Sequence, residues 1–216
     1  MAKSNEKVKE QVKELFIPKP KFRVIPFKIV GVAPLVGNKF STKALATMKE
    51  AMEAGGQGKS SRKREPKDFK AAYNESIHWS EQGWAGHPCA AFRNAMISAC
   101  RTCGVVMTRA KLSAFVEEDG FDRDDGTPLI EIKTKKPKYA EHFVSNATGV
   151  CDLRPRPMWD AGWTATIRIR FDEEMLSPES VGNLLLRAGL QVGVGAGRPD
   201  SKNSNGMGWG LFEIAK

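Results

Sequence analysis

Trp163-Thr164-Ala165-Thr166-Ile167-Arg168-Ile169-Arg170-Phe171 alternates apolar and polar residues without a break. A period of two is the repeat of a pleated strand, so Trp163, Ala165, Ile167, Ile169 and Phe171 fall on one face and Thr164, Thr166, Arg168 and Arg170 on the other. The first face is core. The second is either a ligand surface or a row of salt bridges. Downstream, Ser177-Pro178-Glu179 opens a helix, with Ser177 as its cap and Pro178 at the first helical position. Val181, Leu184, Leu185 and Ala188 form its buried stripe, and Gly189 is placed to close it in the left-handed conformation. A glycine-rich loop, Gln191-Val192-Gly193-Val194-Gly195-Ala196-Gly197-Arg198-Pro199-Asp200, and a second cluster, Gly206-Met207-Gly208-Trp209-Gly210, lead into a last strand over Met207 to Ile214. Two glycine clusters around a polar tip predict backbone lying where a Cβ would not fit, against a ligand or another chain.

Working upstream, Leu112 to Glu118 and Pro128 to Lys133 read as strands joined as a hairpin by Asp119-Gly120-Phe121-Asp122-Arg123-Asp124-Asp125-Gly126. Counted from Asp119, the sixth residue is Asp124 and the twelfth Ile130, where a calcium loop needs glycine and glutamate, so calcium is not expected. Tyr139 to Asn146 reads as a strand, and Asp152-Leu153-Arg154-Pro155-Arg156-Pro157-Met158-Trp159 carries two arginines on a proline-stiffened chain. Pro88 precedes a helix whose small apolar face is Ala91, Phe92, Ala95, Met96, Ala99 and Cys100. A helix from Ser41 or Thr42 to about Ala54 is expected to bury Leu45, Met48 and Met52, and a shorter one spans Asp68 to Glu75. Phe22 to Val32 is the first strand, with Pro26 suited to an edge or a bulge. Met1 to Leu15 has a narrow stripe of Val8, Val12 and Leu15 among alternating Lys and Glu.

This order predicts an α+β fold: a ferredoxin-like, RRM-like βαββαβ core with a large helical insertion after the first strand and an extra β-hairpin. Residues 1–20 would be a basic arm or helix and residues 21–216 one domain, with a basic insertion at about 55–67. The chain of 216 residues holds 34 Lys+Arg against 25 Asp+Glu, a formal charge of +9, which points to a polyanionic partner: nucleic acid first, an anionic membrane second. No apolar run is long enough to span a bilayer and no signal-peptide pattern opens the chain, so a cytoplasmic protein with no membrane partner is expected. The four cysteines, Cys89, Cys100, Cys103 and Cys151, are too scattered for a disulfide framework and read as reduced thiols.

At the glycine clusters a family resemblance enters. Gly193-Val194-Gly195-Ala196-Gly197-Arg198 with Gly206-Met207-Gly208-Trp209-Gly210 resembles the glycine-rich loop of the RAMP superfamily, the RRM-like Cas proteins that form the backbone of CRISPR effector complexes. The opening strand running into Gly31-Val32-Ala33-Pro34-Leu35 resembles the strand-then-Pro-Leu start of the same superfamily. The layout from Phe22 to Ile214 is similar to phage and prophage proteins of this type. The resemblance implies a non-catalytic protein that binds single-stranded RNA or DNA by its backbone and oligomerises, as a filament, along it. Two other classes stay open: a metal-independent endoribonuclease of the RAMP type, and a phage-encoded interaction protein that mimics or blocks a defence complex.

Lysine and arginine clusters neutralise phosphates, glycine amides can approach them, and aromatic rings stack on unpaired bases. The candidate contacts are therefore Lys59, Arg62, Lys63 and Arg64 of the basic insertion, Lys135, Lys136, Arg154 and Arg156, and Gly195, Gly197, Arg198 and Trp209 of the terminal loop. Trp79, Trp84 and Trp159 are further stacking candidates, while Trp163 and Phe212 suit the core. A nuclease would draw its general acid or base from His78, His87 or His142, though no partner for any of them is evident. Cys100 and Cys103 form one Cys-x-x-Cys pair; with Cys89 and His87 as the nearest further ligands, zinc is not expected, and neither is any other cofactor.

Overall fold

In a computed structural model, which describes residues 17–53, 55, 66–134, 136–145, 151–201 and 207–215, the alternating segment is the strand β10 of a four-stranded sheet. Before it in the chain come β1 (Phe22–Gly31), β2 (Leu35–Val36), α1 (Thr42–Glu53), α2 (Phe69–Glu75), β3 (His78–Trp79) and β4 (Ala85–Pro88). Then follow α3 (Cys89–Cys103), α4 (Met107–Ser113), β5 (Ala114–Glu117), β6 (Gly120–Phe121), β7 (Pro128–Glu131), β8 (Lys138–Ser145) and β9 (Cys151–Trp159). The chain ends with β10 (Thr164–Asp172), α5 (Pro178–Arg187), a π-helical turn (Ala188–Val192) and β11 (Phe212–Ile214).

The elements make a mixed α+β structure with antiparallel sheets in the orders β11-β1-β10-β5, β2-β9-β8 and β3-β4-β7-β6. In the first sheet Phe27 lies opposite Ile167 and Ile29 opposite Ala165, so the apolar residues of both strands share one face. Phe92, Ala95, Met96 and Ala99 of α3 and Val181, Leu184 and Leu185 of α5 belong to the core cluster with that face. Each large side chain so buried stabilises by about 1.5–3 kcal/mol. Trp163 is fully buried and its indole Nε1 donates to the Ala33 carbonyl at 2.9 Å, which satisfies the one polar atom the ring carries inside. Pro26 sits on β1 where β11, which pairs only with Ile29–Gly31, does not reach, so its missing N–H leaves no gap on that side.

Several expectations are corrected. Leu45, Met48 and Met52 are exposed, Met52 by 80%, so α1 turns its apolar stripe away from the core. The segment beginning at Leu112 is helical through Ser113, and β5 pairs with β10 while β7 pairs with β4 and β6; the acidic stretch therefore leaves the sheet of β5 and closes a hairpin between β6 and β7 instead of between β5 and β7. Gly189 does not cap α5 in the left-handed region. It lies in the π-helical turn, where a Cβ would meet the Phe212 carbonyl oxygen at 2.2 Å, and Gly193, at φ 72°, ends the helix. The last strand is shorter than expected, because residues 208–211 belong to the glycine loop. Residues 1–16, most of the basic insertion, including Lys59, Arg62, Lys63 and Arg64, and Lys135 lie outside the described residues.

Candidate functional site

The strands β8 and β9 pair throughout, with His142 opposite Arg154 and Ala140 opposite Arg156. Cross-strand partners and residues two apart share a face, so the hairpin presents His142, Arg154 and Arg156 together. Across from this face runs the glycine loop, and at the base stand the end of β4 and the first turns of α3, with His87, Asn94 and Ser98. Between them is a cleft of about 770 Å³. It gathers Arg154, Arg156, Gly195, Gly197, Arg198 and Trp209 from the sequence-based candidates, together with His87 and His142. Lys136 is exposed and does not line this cleft.

The close approach expected of the glycine loop is made to its own chain at Gly195, Gly197 and Gly210. A Cβ on Gly195 would stand 2.5 Å from the Val36 carbonyl oxygen, one on Gly197 2.4 Å from the Trp209 ring, and one on Gly210 1.7 Å from the Val194 carbonyl oxygen. Backbone bonds tie the loop down: Ala196 N–H donates to Val36 O at 2.9 Å, Gly210 N–H to Pro34 O at 2.7 Å and Val194 N–H to Gly210 O at 3.0 Å. Through β2, which pairs with β9, the loop is held in register with the arginine hairpin.

The charges of the cleft are unevenly satisfied. Arg154 Nε donates to Asp152 at 2.9 Å, and Asp200 is taken by Arg101. Among the described residues Arg198 donates to the Gly195 carbonyl, at 3.0 Å, and its charge bears on the nearby His87 and Asp200. Arg156 is 8% exposed, its Nε has no partner, and no carboxylate lies within ion-pair distance of it among the described residues. Burial, and then the charge of Arg154, lowers its pKa. His87 is 5% exposed, and neither ring nitrogen has a partner. Burial, with help from His78 and Arg198, brings its pKa down to about 3, so the ring is neutral at pH 7. Burial, and the Arg156 charge, also lowers that of His142.

The tryptophans divide differently from expectation. Trp209 packs on Gly197 and against His142, with ring centroids 4.7 Å apart. Trp159 is buried, and the Trp84 ring covers Gly86 and Gly120, so neither is a free stacking platform. Arg168 and Arg170 are engaged by Asp119 and Glu117, and Arg170 also lies over the rings of Phe22 and Phe115; salt bridges, not a free ligand surface, occupy that face.

A second polar cluster has no counterpart in the sequence reading. Lys39 Nζ lies 2.7 Å from Asp122 and 2.8 Å from Asp124, and His78 Nδ1 lies 2.7 Å from the other Asp122 oxygen. Burial works against the Asp122 carboxylate, but Lys39, the Asp124 amide and His78 hold its pKa below the usual range. Among the described residues His78, Asp122 and Asp125 are the group close enough to share a metal ion, but the ammonium of Lys39 already supplies a cation to Asp122. Cys89, Cys100, Cys103 and His87 do not converge, and Cys100 and Cys103 donate to helix carbonyls of α3.

No known protein family matches the chain, and no curated protein does. Among solved structures, it is similar to a chain in a cryo-EM structure of the Type III-B Cmr-beta bound to cognate target RNA, at 15% identity and a TM-score of 0.45. The match covers 91% of this chain and 60% of the other. No helix among the described residues is long and apolar enough to cross a membrane.

Proposed function

We propose that the protein binds single-stranded nucleic acid through its phosphates, in the cleft between the glycine loop and the β8–β9 hairpin, without cutting it. The observation that carries the reading is Arg156, a buried guanidinium with no anionic partner among the described residues. An uncompensated buried cation is costly, and an entering anion offsets that cost. Arg198 adds a second charge that makes no ion pair among the described residues, and the formal charge of +9 draws polyanions toward the surface. The strand order β11-β1-β10-β5, with α3 and α5 in the two crossovers, agrees with a ferredoxin-like, RRM-like core.

Filter binding of labelled single strands at rising salt tests the reading. Affinity should fall steeply with salt and drop on Arg156→Gln; absence of affinity for any single strand at low salt refutes it. A Lys63→Glu, Arg64→Glu pair should weaken binding to all sequences and make the salt dependence shallower, if the basic insertion shares the strand.

Assembly along the strand belongs to the same reading. The exposed Leu45, Met48 and Met52 of α1 offer an apolar stripe of the kind that another chain covers. Light scattering that finds a monomer both with and without nucleic acid would remove assembly from the proposal.

One observation favours a second reading, metal-independent RNA cleavage: His87 and His142 share the cleft and have unpartnered ring nitrogens. Against it, a base held near pKa 3 is a weak proton acceptor at neutral pH, where an effective one titrates near the working pH. Labelled RNA that stays intact with excess protein and chelator excludes this reading.

A further inference from the structure

We infer that the cleft is built for a phosphate monoester, the end group of a strand or of a mononucleotide, and not for the diester of a continuing chain. The strand as its source rests on the nucleic-acid reading above; the monoester chemistry does not.

Of the acids and bases that bear on the cleft, Arg154 is paired with Asp152, which also receives Lys67, and Asp200 is paired with Arg101. Arg156 and Arg198 make no ion pair with a carboxylate among the described residues, although the Arg198 charge bears on Asp200. A diester carries one negative charge, whereas a monoester carries about −1.5 to −2 at pH 7 and presents three acceptor oxygens. Two unneutralised guanidinium groups match the second and overcompensate the first. Guanidinium forks are also suited to hold two oxygens of one phosphate side by side.

Position supports the same choice. Arg156 is withdrawn from solvent on the hairpin face, His87 is buried at the base, and Trp209, set between Gly197 and His142, stands along one wall. A group reaching Arg156 must therefore enter the cleft, which an end does with one substituent trailing out and a diester only with two. The neutral ring of His87 has one donor and one acceptor nitrogen, both unpartnered. It can bond a phosphate oxygen without adding a third positive charge.

The test uses short, internally labelled single strands that carry a 5′-phosphate, a 3′-phosphate or only hydroxyl ends, with adenosine monophosphate and inorganic phosphate as competitors. In fluorescence anisotropy one phosphorylated end should bind at least about tenfold tighter than the hydroxyl-ended strand, the effect of one further charge-assisted contact. Arg156→Gln and, separately, the less buried Arg198→Gln should each shrink that preference, and it should fade below about pH 6 as the monoester dianion takes up a proton and becomes a monoanion. Equal affinity for all three strands overturns the inference while leaving strand binding intact. If no strand binds but adenosine monophosphate or phosphate raises the melting temperature of the wild type and not of Arg156→Gln, the monoester site stands and the nucleic-acid reading falls. If neither strands nor small phosphates bind, both fall.

Discussion

The indole of Trp209 and the imidazole of His142 stand 4.7 Å apart, centroid to centroid, tilted by 56°. This contact links the glycine loop to the β8–β9 hairpin in the lining of the cleft, and it joins segments far apart in the chain. Ring pairs of this kind contribute about 0.5–1.5 kcal/mol beyond the area they bury. Trp209→Ala and His142→Ala should each lower the melting temperature, and a double-mutant cycle by urea unfolding should return a coupling energy of about that size. Strict additivity would mean that the two rings are neighbours without holding the walls together.

The glycine loop supplies a paired test. Gly208 and Gly210 both have positive φ, 68° and 70°, but a Cβ on Gly208 meets nothing within 4 Å whereas one on Gly210 would stand 1.7 Å from the Val194 carbonyl oxygen. Gly208→Ala should cost about 1–2 kcal/mol, the penalty of the left-handed conformation. Gly210→Ala carries the same penalty and a backbone collision besides, so it should cost more than about 3 kcal/mol or prevent folding. Comparable melting temperatures for the two variants would contradict the intramolecular packing of the loop.

Acid should destabilise the protein through His87. Its folded pKa of about 3 lies below the ordinary value of 6.5, so between these two pH values the unfolded chain binds a proton that the folded chain refuses. Stability therefore rises with pH across that window and is lost as pH falls through it, with a slope near 1.4 kcal/mol per pH unit for this one group. Urea midpoints measured from pH 7 to pH 4 should fall, and His87→Phe should flatten the decline. His78 and His142, whose pKa values are also lowered, add to the slope in the wild type and in the variant alike.

The Lys39–Asp122 pair is the fourth stability element. Lys39→Met would leave Asp122 buried with only His78 and the Asp124 amide as partners. Removing one member of a buried pair costs about 3–5 kcal/mol, chiefly through the charge left behind. Adding Asp122→Asn should restore part of the loss in chemical denaturation. A Lys39→Met variant as stable as the wild type would reduce the cluster to a surface contact.

Local pattern was enough to place the main elements. The alternation from Trp163 to Phe171, the Ser177-Pro178 cap and the small-residue face of α3 each depend on neighbours within a few residues, and these elements formed as expected. The sequence also picked out Arg154, Arg156, Arg198 and Trp209 as candidate contacts to nucleic acid. It did not reveal that they meet. That depends on β2 docking the glycine loop beside β9, a backbone arrangement between segments far apart in the chain.

The misreadings have the same origin. Leu45, Met48 and Met52 have the spacing of a buried stripe, but periodicity reports only that a helix has an apolar side, and whether anything covers it is decided elsewhere in the fold. The glycines promised a close approach without saying to what, and the carbonyls of Val36 and Val194 and the ring of Trp209 supplied the answer. Lys39 finds Asp122 across 83 residues of chain, with no local signal in either segment. Sequence alone therefore determined the elements and the surplus of positive charge. Tertiary structure decided which cations are buried and left without a partner, because pairing and desolvation are properties of positions in space.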